Sequence, residues 1–379
     1  MTAYLDNAAT TKPCEEAVEA CRAALTENFG NPSSLHRMGV NAEIAVEEAR
    51  KAVAAALVCQ PERITFTSGA TESNNTLILG AAENYGKRKK RIILSAIEHP
   101  SVDEAVKYLE GCGFEAVRVK PGKTGEIDPD EFLAAMDYNT FFASCMMVNN
   151  ETGAVNPVKK IFPQIKKKFP ECITHCDAVQ GFLKMPMKTS ELCADLITVS
   201  GHKIHAPKGV GAMYIAKGIR IAPRALGGGQ EKGQRSGTEA VPLISAFGAA
   251  VRAQLPTIPV AYSNAEELSS RLRRKLSALD YITVNSNAEE QSPYILNFSV
   301  NGIRSEIMLH FLEGKEIYVS SGSACSKGAK SGVLAAMGLS DRLIDTSLRV
   351  SLSRMSSCGE IERLVTALQE GYLTLAKTK

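Results

Sequence analysis

Short runs of apolar and β-branched residues alternate along this chain with segments whose apolar residues recur at helical spacing. The runs predict five strands, over residues 64–67, 91–95, 141–148, 173–176 and 196–200. Residues 41–56 and 101–110 show the pattern of helices. Strands that alternate with helices indicate an α/β fold.

The pattern changes near residues 254–259, where Pro256 and Pro259 lie close together. Prolines grouped in this way are typical of a domain boundary. Beyond this point we expect helices over residues 266–279 and 360–376, a strand over 294–300 and a loop of small residues over 320–331. We therefore expect a large domain over residues 13–255 and a small domain formed by residues 1–12 and 256–379.

The chain has 379 residues, of which 44% are hydrophobic and 22% are charged. These proportions are typical of a globular protein and exclude the disordered, collagen-like and coiled-coil classes. The 44 lysines and arginines nearly balance the 41 aspartates and glutamates, so the formal net charge is only +3. So small an excess does not require a nucleic acid or an acidic membrane as a partner, and we expect neither.

The cellular location is indicated by the N-terminal residues and by the cysteines. Residues 1–6 contain no basic region followed by an apolar stretch, so no signal peptide is visible. The longest apolar runs, such as residues 52–58, are far shorter than the roughly 20 residues that span a bilayer. The ten cysteines include no C-x-x-C pair. We therefore expect reduced thiols and a cytoplasmic protein.

Polar or reactive residues follow all five predicted strands. They are Ser68, Gly69, Ala70, Thr71, Glu98, His99, Asn149, Asn150, Glu151, Asp177, Ser200, Gly201, His202 and Lys203. In an open α/β sheet, ligands bind outside the carboxyl ends of the strands. Strand-to-helix loops are often polar in any case, but five such ends together predict one shared site.

Residues 67–75 read Thr-Ser-Gly-Ala-Thr-Glu-Ser-Asn-Asn, follow a predicted strand and begin a helix. Small residues allow the backbone to approach an anion, and the helix N–H groups and the Thr71 hydroxyl can donate to a phosphate. Ordinary helix capping, with Glu72 in the first turn, explains the same residues equally well. No P-loop motif follows, and no G-x-G-x-x-G motif follows a strand, so dinucleotide binding is unsupported.

Asp177 and Lys203 each follow a predicted strand, and Gln180 lies three residues after Asp177. A buried carboxylate could hold a pyridinium nitrogen and so make the ring an electron sink, but it could equally cap a helix. A desolvated lysine can form a Schiff base, although a lone lysine in a turn is ordinarily exposed. A phosphate cradle, a carboxylate and a lysine in one row together suggest pyridoxal 5'-phosphate.

Cys325 lies in a run of small residues, Ser-Ser-Gly-Ser-Ala-Cys-Ser-Lys-Gly, over residues 320–328. We expect it to be accessible, and Lys327 nearby favours its thiolate form. Cys325 is therefore a candidate nucleophile, with a structural thiol as the alternative. The other nine cysteines lie mostly in apolar or helical settings and are interpreted as packing residues.

Taken together, these motifs resemble the NifS/IscS-type cysteine desulfurases of the class V aminotransferase group. The resemblance covers nearly the whole chain, through residues 4–11, 30–36, 67–75, 98–99, 149–151, 175–180, 200–209, 227–238, 320–325 and 348–351. It implies the type I pyridoxal-phosphate-dependent transferase fold. That fold has a large domain with a mostly parallel seven-stranded sheet and a small α/β domain.

The resemblance also implies a role for each matching residue. Lys203 would carry the cofactor, His99 would stack on its ring and assist proton transfer, and Cys325 would accept sulfur. The residues expected to bind the cofactor are Ala70, Thr71, Asn150, Asp177, Gln180, Ser200, Gly201, His202, Lys203 and, from the partner subunit of a homodimer, Thr238. Asn150 and Arg349 would orient the substrate, and no metal is expected.

The implied reaction converts L-cysteine to L-alanine and leaves a persulfide on Cys325, whose sulfur passes to an acceptor protein. The expected use of that sulfur is iron–sulfur cluster assembly or the thiolation of cofactors or tRNA. Selenocysteine lyase, acting on L-selenocysteine with the same residues, is the main alternative. An aminotransferase would not need Cys325, and a cofactor-binding regulator or a sulfur carrier would need no Lys203 paired with Arg349.

Overall fold

The computed structural model describes residues 2–321 and 330–377. The strands of these residues are β1 (Ala3–Tyr4), β2 (Ile64–Thr67), β3 (Arg91–Ser95), β4 (Glu115–Val119), β5 (Thr140–Ser144), β6 (Ile173–Asp177), β7 (Leu196–Ser200), β8 (Gly211–Ile215), β9 (Ile282–Val284), β10 (Ile295–Val300), β11 (Ile317–Tyr318), β12 (Ser320–Ser321) and β13 (Ser347–Ser351). Their helices are α1 (Glu15–Thr26), α2 (Arg37–Leu57), α3 (Ala70–Tyr85), α4 (Pro100–Gly111), α5 (Pro129–Ala134), α6 (Val158–Lys168), α7 (Thr189–Leu192), α8 (Val241–Gln254), α9 (Ile258–Ser277), α10 (Ser305–Glu313), α11 (Gly332–Ala336), α12 (Asp341–Asp345) and α13 (Cys358–Thr374).

The main sheet has seven strands in the order β2-β8-β7-β6-β5-β3-β4. Only β8 runs against its neighbours, and it is antiparallel to both β2 and β7. The central strands β5, β6 and β7 are buried along their whole length, as parallel strands covered by helices on both faces should be. The predicted mostly parallel seven-stranded sheet is confirmed, and the carboxyl ends of β2, β3, β5, β6 and β7 lie along one edge.

The predicted strand over residues 141–148 is wrong at its end, because β5 stops at Ser144. The Met146 N–H donates to Glu98 Oε1 over 2.7 Å, so a side chain takes the place of a neighbouring strand. The other four predicted strands match β2, β3 and β7 fully and β6 to within one residue. A hydrogen bond between residues distant in sequence thus ends the strand, although the apolar composition of the segment predicts that it continues to residue 148.

The two prolines near residue 255 do not interrupt the helical path. The helix α8 is followed by a 3-10 turn, Leu255–Thr257, and then directly by α9. Pro256 and Pro259 lie in the first turns of these two segments, where a missing N–H breaks no helical hydrogen bond. The helix predicted over residues 266–279 therefore begins earlier, at Ile258. The division of the chain into two domains at residue 255 stays a prediction.

The combined stretch Val241–Ser277 is the one helical segment of the described residues that is long and apolar enough to cross a membrane. Half of its most apolar stretch of 18 residues is buried inside the fold. Core helices of soluble proteins meet the same criterion, so this segment is weak evidence for a membrane span.

A second sheet has four antiparallel strands in the order β12-β13-β10-β9. The N-terminal strand β1 pairs in parallel with β11, and Asp6 forms a β-bridge with Ser351 at the end of β13. The Asn7 side chain adds a hydrogen bond from Nδ2 to the Ser351 carbonyl over 2.9 Å. The N-terminal segment is therefore fixed to the second sheet before it reaches the edge of the main sheet.

A buried ion pair fixes the glycine-rich segment, residues 227–238, to the main sheet. Arg50 of α2 donates from both terminal nitrogens to the Glu231 carboxylate, over 2.8 and 2.9 Å. The side chains are only 6% and 3% exposed. Arg50 also donates to the Ile64 carbonyl, and the Phe66 N–H donates to Glu231. The pair thus joins α2, β2 and the glycine-rich segment.

Replacing Arg50 with Met should lower the free energy of unfolding by about 3 kcal/mol or more, because the Glu231 carboxylate stays buried without its counter-charge. The matched control is Arg22→Met, since Arg22 forms an exposed pair with Glu19 on α1. That change should cost about 1 kcal/mol or less. Urea unfolding of both variants, followed by circular dichroism, measures the difference. Equal losses for the two variants would contradict the role assigned to Arg50.

Candidate active site

Lys203 lies just beyond the carboxyl end of β7, in the 3-10 turn Gly201–Lys203. Its Nζ donates to the carbonyl oxygens of Ala8 and Ala9, both over 2.6 Å. Gln180 Nε2 donates to the same Ala8 oxygen over 3.0 Å. The N-terminal segment therefore crosses the carboxyl edge of the main sheet, and Lys203 and Gln180 meet on one of its carbonyl groups.

Asp177 is the last residue of β6 and is buried. Its Oδ1 accepts from the Val179 N–H over 3.0 Å, and its Oδ2 accepts from Asn74 Nδ2 over 2.9 Å. The alternative that Asp177 caps a helix is wrong, because residues 179–185 form turns and a bend. A carboxylate at a strand end, with one partner on each oxygen among the described residues, can accept a further N–H group.

Lys184 was not singled out by sequence analysis. It is buried, and its Nζ donates to Gln180 Oε1 over 2.8 Å. Burial, aided by the positive charges of Lys203 and Arg349, lowers the pKa of Lys184 to about 7. The contact fixes the Gln180 amide so that its NH2 group faces the Ala8 carbonyl. A lysine within the otherwise apolar run Phe-Leu-Lys-Met was the available signal.

The end of β7 and the start of α3 lie close together, at the place where the sequence predicts a phosphate cradle. Ser200 is paired with Gly211 of β8, and Gly211 is paired with Thr67 of β2, so these residues lie level across three strands. A Cβ on Gly211 would lie 2.8 Å from the Gly69 Cα, so only glycine allows this approach. The first N–H groups of α3, at Ala70 and Thr71, have no partner within the helix.

The surroundings of Ser200 Oγ test whether these residues fit a phosphate group. It is buried and has no hydrogen-bond partner among the described residues. A buried hydroxyl without a partner is costly unless a ligand supplies one. Together with the free N–H groups of α3, it fits a phosphate group, and Asp177, Gln180 and Lys203 fit a pyridine ring and its aldehyde. The residues present therefore fit pyridoxal 5'-phosphate.

Burial disfavours the charged form of both histidines at this edge. His99 caps α4, and burial lowers its pKa, an effect that Asp177 opposes and Lys203 reinforces. Burial also lowers the pKa of His202 to about 4, with a further contribution from Lys203. His202, which follows Gly201 in the turn, can therefore offer a phosphate a hydrogen bond but not a full charge.

Arg349 is buried on β13 and reaches the N-terminal segment from the second sheet. One terminal nitrogen donates to Asp6 Oδ1 over 2.8 Å and the other to the Asn150 carbonyl over 2.9 Å. Its Nε is buried and has no hydrogen-bond partner among the described residues. Asn150 and Arg349 are thus in contact, and the guanidinium keeps one N–H for a ligand.

One of the sequence-predicted residues, Thr238, is not brought into this cluster. Thr238 is exposed and lines a separate cavity with Ser68, Gly209 and Arg235, beside the end of β2. Arg235 there forms an ion pair with Glu72 of α3 over 2.9 Å. Cys325 lies outside the described residues. Within the described ranges, no group of three or more His, Cys, Asp or Glu residues could hold a metal ion.

Comparison with known proteins agrees with the sequence motifs. The pattern of the family Aminotransferase class-V matches residues 3–364. A cysteine desulfurase of Trichormus azollae is 40% identical over 370 residues, 97% of this chain and 92% of that protein. Cysteine desulfurase IscS of Methanosarcina thermophila is 38% identical over 97% of this chain and 91% of that protein. A solved NifS-like protein superposes with a TM-score of 0.94 at 36% identity, over 99% of this chain and 100% of that chain. The chain belongs to the class V aminotransferase family.

Proposed function

We propose that this chain is a pyridoxal-phosphate-dependent cysteine desulfurase. The observation that carries the proposal is that Lys203 and Arg349 reach the same short segment, residues 6–9, from two different sheets. An amine that can bind the cofactor and a guanidinium that can bind an amino acid carboxylate are thus brought to one place in the fold by this segment. The names of the relatives support the same reaction.

The cofactor would be held by the residues whose fit is described above. Ser200, Gly201 and the start of α3 would bind its phosphate, and Asp177 would face its ring nitrogen. Gln180, fixed by Lys184, would donate to the ring hydroxyl. When bound, the cofactor supplies an electron sink for the charge that develops at the substrate Cα. The other steps are performed by residues of this chain.

Arg349 would bind the substrate carboxylate. Its terminal nitrogens are held by Asp6 and Asn150, so the plane of the guanidinium is set before a ligand arrives. The Nε–H, which has no partner among the described residues, is left to donate a charge-assisted hydrogen bond to a carboxylate. A guanidinium held rigidly in this way lets the enzyme place the substrate Cα beside Lys203, which would take the α-proton on its Nζ.

Cys325 would accept the sulfur. Its thiolate attacks the substrate sulfur, so a sulfur–sulfur bond forms as the Cβ–S bond breaks, and Cβ keeps the electron pair and gains a proton. One L-cysteine and one cysteine thiol give one L-alanine and one persulfide, so no external oxidant is needed. The persulfide sulfur would then pass to an acceptor protein, for cluster assembly or thiolation, in the cytoplasm.

Replacing Cys325 with Ala tests this assignment. The variant should bind the cofactor as the unmodified enzyme does, but should release alanine from L-cysteine on the order of 100-fold more slowly, because the acceptor thiol is gone. Alanine is measured by chromatography, with a thiol reductant present. Cys358→Ala is the matched control, since Cys358 is another cysteine, exposed at the start of α13. Unchanged alanine production by Cys325→Ala would assign the transfer to another residue.

We also infer that the enzyme is a homodimer. Large apolar side chains are exposed on one region of the chain: Leu25 of α1, Phe29 and Leu35 of the connection, and Ile44 of α2. Groups of exposed apolar residues mark interaction surfaces. The helix α2 also carries Arg50, which holds the glycine-rich segment that contains Thr238. These exposed apolar side chains and Thr238 together support contact with a second copy of the chain.

Leu35→Glu should weaken that association, because a carboxylate would be buried in an apolar interface. Sedimentation velocity at micromolar concentration should show a dimer for the unmodified protein and a large monomer fraction for the variant. Leu373→Glu is the matched control: Leu35 is 98% and Leu373 is 83% exposed, but Leu373 lies on α13. The proposed interface is ruled out if Leu35→Glu sediments as the unmodified dimer.

A further inference from the structure

A continuous chain of hydrogen bonds joins His99 to Asp177 beneath the proposed cofactor site. His99 Nδ1 lies 2.8 Å from Ser101 Oγ, and Asn74 Nδ2 donates to the same Oγ over 2.8 Å. Asn74 Nδ2 also donates to Asp177 Oδ2 over 2.9 Å. Neither Asn74 nor Ser101 has a role in the reaction as described so far, and both are buried.

The orientation of the Asn74 amide follows from its partners. A carboxylate only accepts hydrogen bonds, so the Asn74 atom that faces Asp177 must be the NH2 nitrogen. The two N–H groups of this nitrogen are then both used, one on Asp177 and one on Ser101. Asn74 Oδ1 is left without a partner among the described residues, which is the cost of this orientation.

The orientation of Asn74 determines the protonation of His99. Because Ser101 Oγ accepts from Asn74, its own O–H is free to donate to His99 Nδ1. The Ser101 backbone N–H donates to the same Nδ1 over 3.1 Å. A proton on Nδ1 would face this N–H, so Nδ1 must be an acceptor. The neutral ring then carries its proton on Nε2, which makes no hydrogen bond within the described residues.

We infer that Asn74 and Ser101 are positioning residues that hold His99 as the neutral tautomer with its proton on Nε2. The consequence for the reaction rests on the proposed function. In this form Nε2 is a hydrogen-bond donor and not a base, so His99 can donate a hydrogen bond from Nε2 but cannot take the proton at the substrate Cα. That proton is left to Lys203, so at one site His99 donates a hydrogen bond and Lys203 takes the proton.

The charged groups around His99, taken together with its burial, are consistent with a neutral ring. Asp177 of β6 favours a charged ring, whereas Lys203 and burial disfavour it, and burial is the largest effect on the His99 pKa. His202, which also faces this region, is itself neutral near pH 7. Removing a donor to Nδ1 destabilises the neutral form, so loss of the Ser101 hydroxyl should raise the His99 pKa.

Holoenzyme labelled with nitrogen-15 only at histidine Nδ1 tests the inference by solid-state NMR. The chain has six histidines, and the His99 signal is the one that His99→Gln removes. It should show an unprotonated Nδ1 from about pH 6 to about pH 8. In Ser101→Ala the signal should shift toward the protonated form as the pH falls within that range. Ser101→Thr, which keeps the hydroxyl, should restore the original behaviour.

A protonated Nδ1 in the unmodified enzyme, or a Ser101→Ala spectrum that titrates as the unmodified one does, would overturn the inference. The NMR signal does not depend on turnover, so alanine production is measured on the same samples. An unprotonated Nδ1 with no alanine would leave the tautomer assignment standing and would refute the proposed function. Alanine production with a protonated Nδ1 would refute the tautomer assignment and leave the proposed function standing.

Discussion

The Ala8 carbonyl group is the point on which the site depends. It accepts from Lys203 Nζ and from Gln180 Nε2, which belong to two different connections of the main sheet. The same N-terminal segment is fixed to β13 through Asn7 and holds Arg349 through Asp6. A single stretch of backbone therefore sets the distance between the groups proposed to bind the cofactor and those proposed to bind the substrate. Without this segment, the two sheets would present their functional side chains independently.

The electrostatics of the site follow from this arrangement. Burial lowers the pKa of Lys184 to about 7, and Lys203 and Arg349 lie close enough for their positive charges to add to this effect. Asp6 is the carboxylate that accepts a hydrogen bond from Arg349, and Asp177, at the end of β6, accepts one from Asn74. An environment with this excess of positive groups favours anionic ligands, such as a phosphate and an amino acid carboxylate. Burial, reinforced by the charge of Lys203, disfavours protonation of His99 and His202.

The apolar runs of the sequence were sufficient for five of the seven strands of the main sheet and for the polar residues that follow them, because these are local properties, but they did not predict β4 or β8. Position placed Lys203 and Asp177 at strand ends, and their roles followed only from the resemblance and stay predictions. The sequence could not show which distant residues pair in the fold. Asn74 and Asp177 are 103 positions apart, and Arg50 and Glu231 are 181 positions apart. Nor could the sequence show that β5 ends near Met146, whose N–H donates to Glu98. It also could not show that the helical path continues through Pro256 and Pro259. Each of these features is a contact between segments that only the folded chain brings together.

The central claim is that this site removes sulfur from cysteine and retains it on the protein. A single turnover of the holoenzyme with one equivalent of sulfur-35 L-cysteine, without reductant, measures this most directly. Alanine should form in the same amount as protein-bound label, and peptide mapping under non-reducing conditions should place the label on the peptide that contains Cys325. Label on a different cysteine would contradict the assignment of Cys325. Absence of both alanine and bound label would contradict the account as a whole.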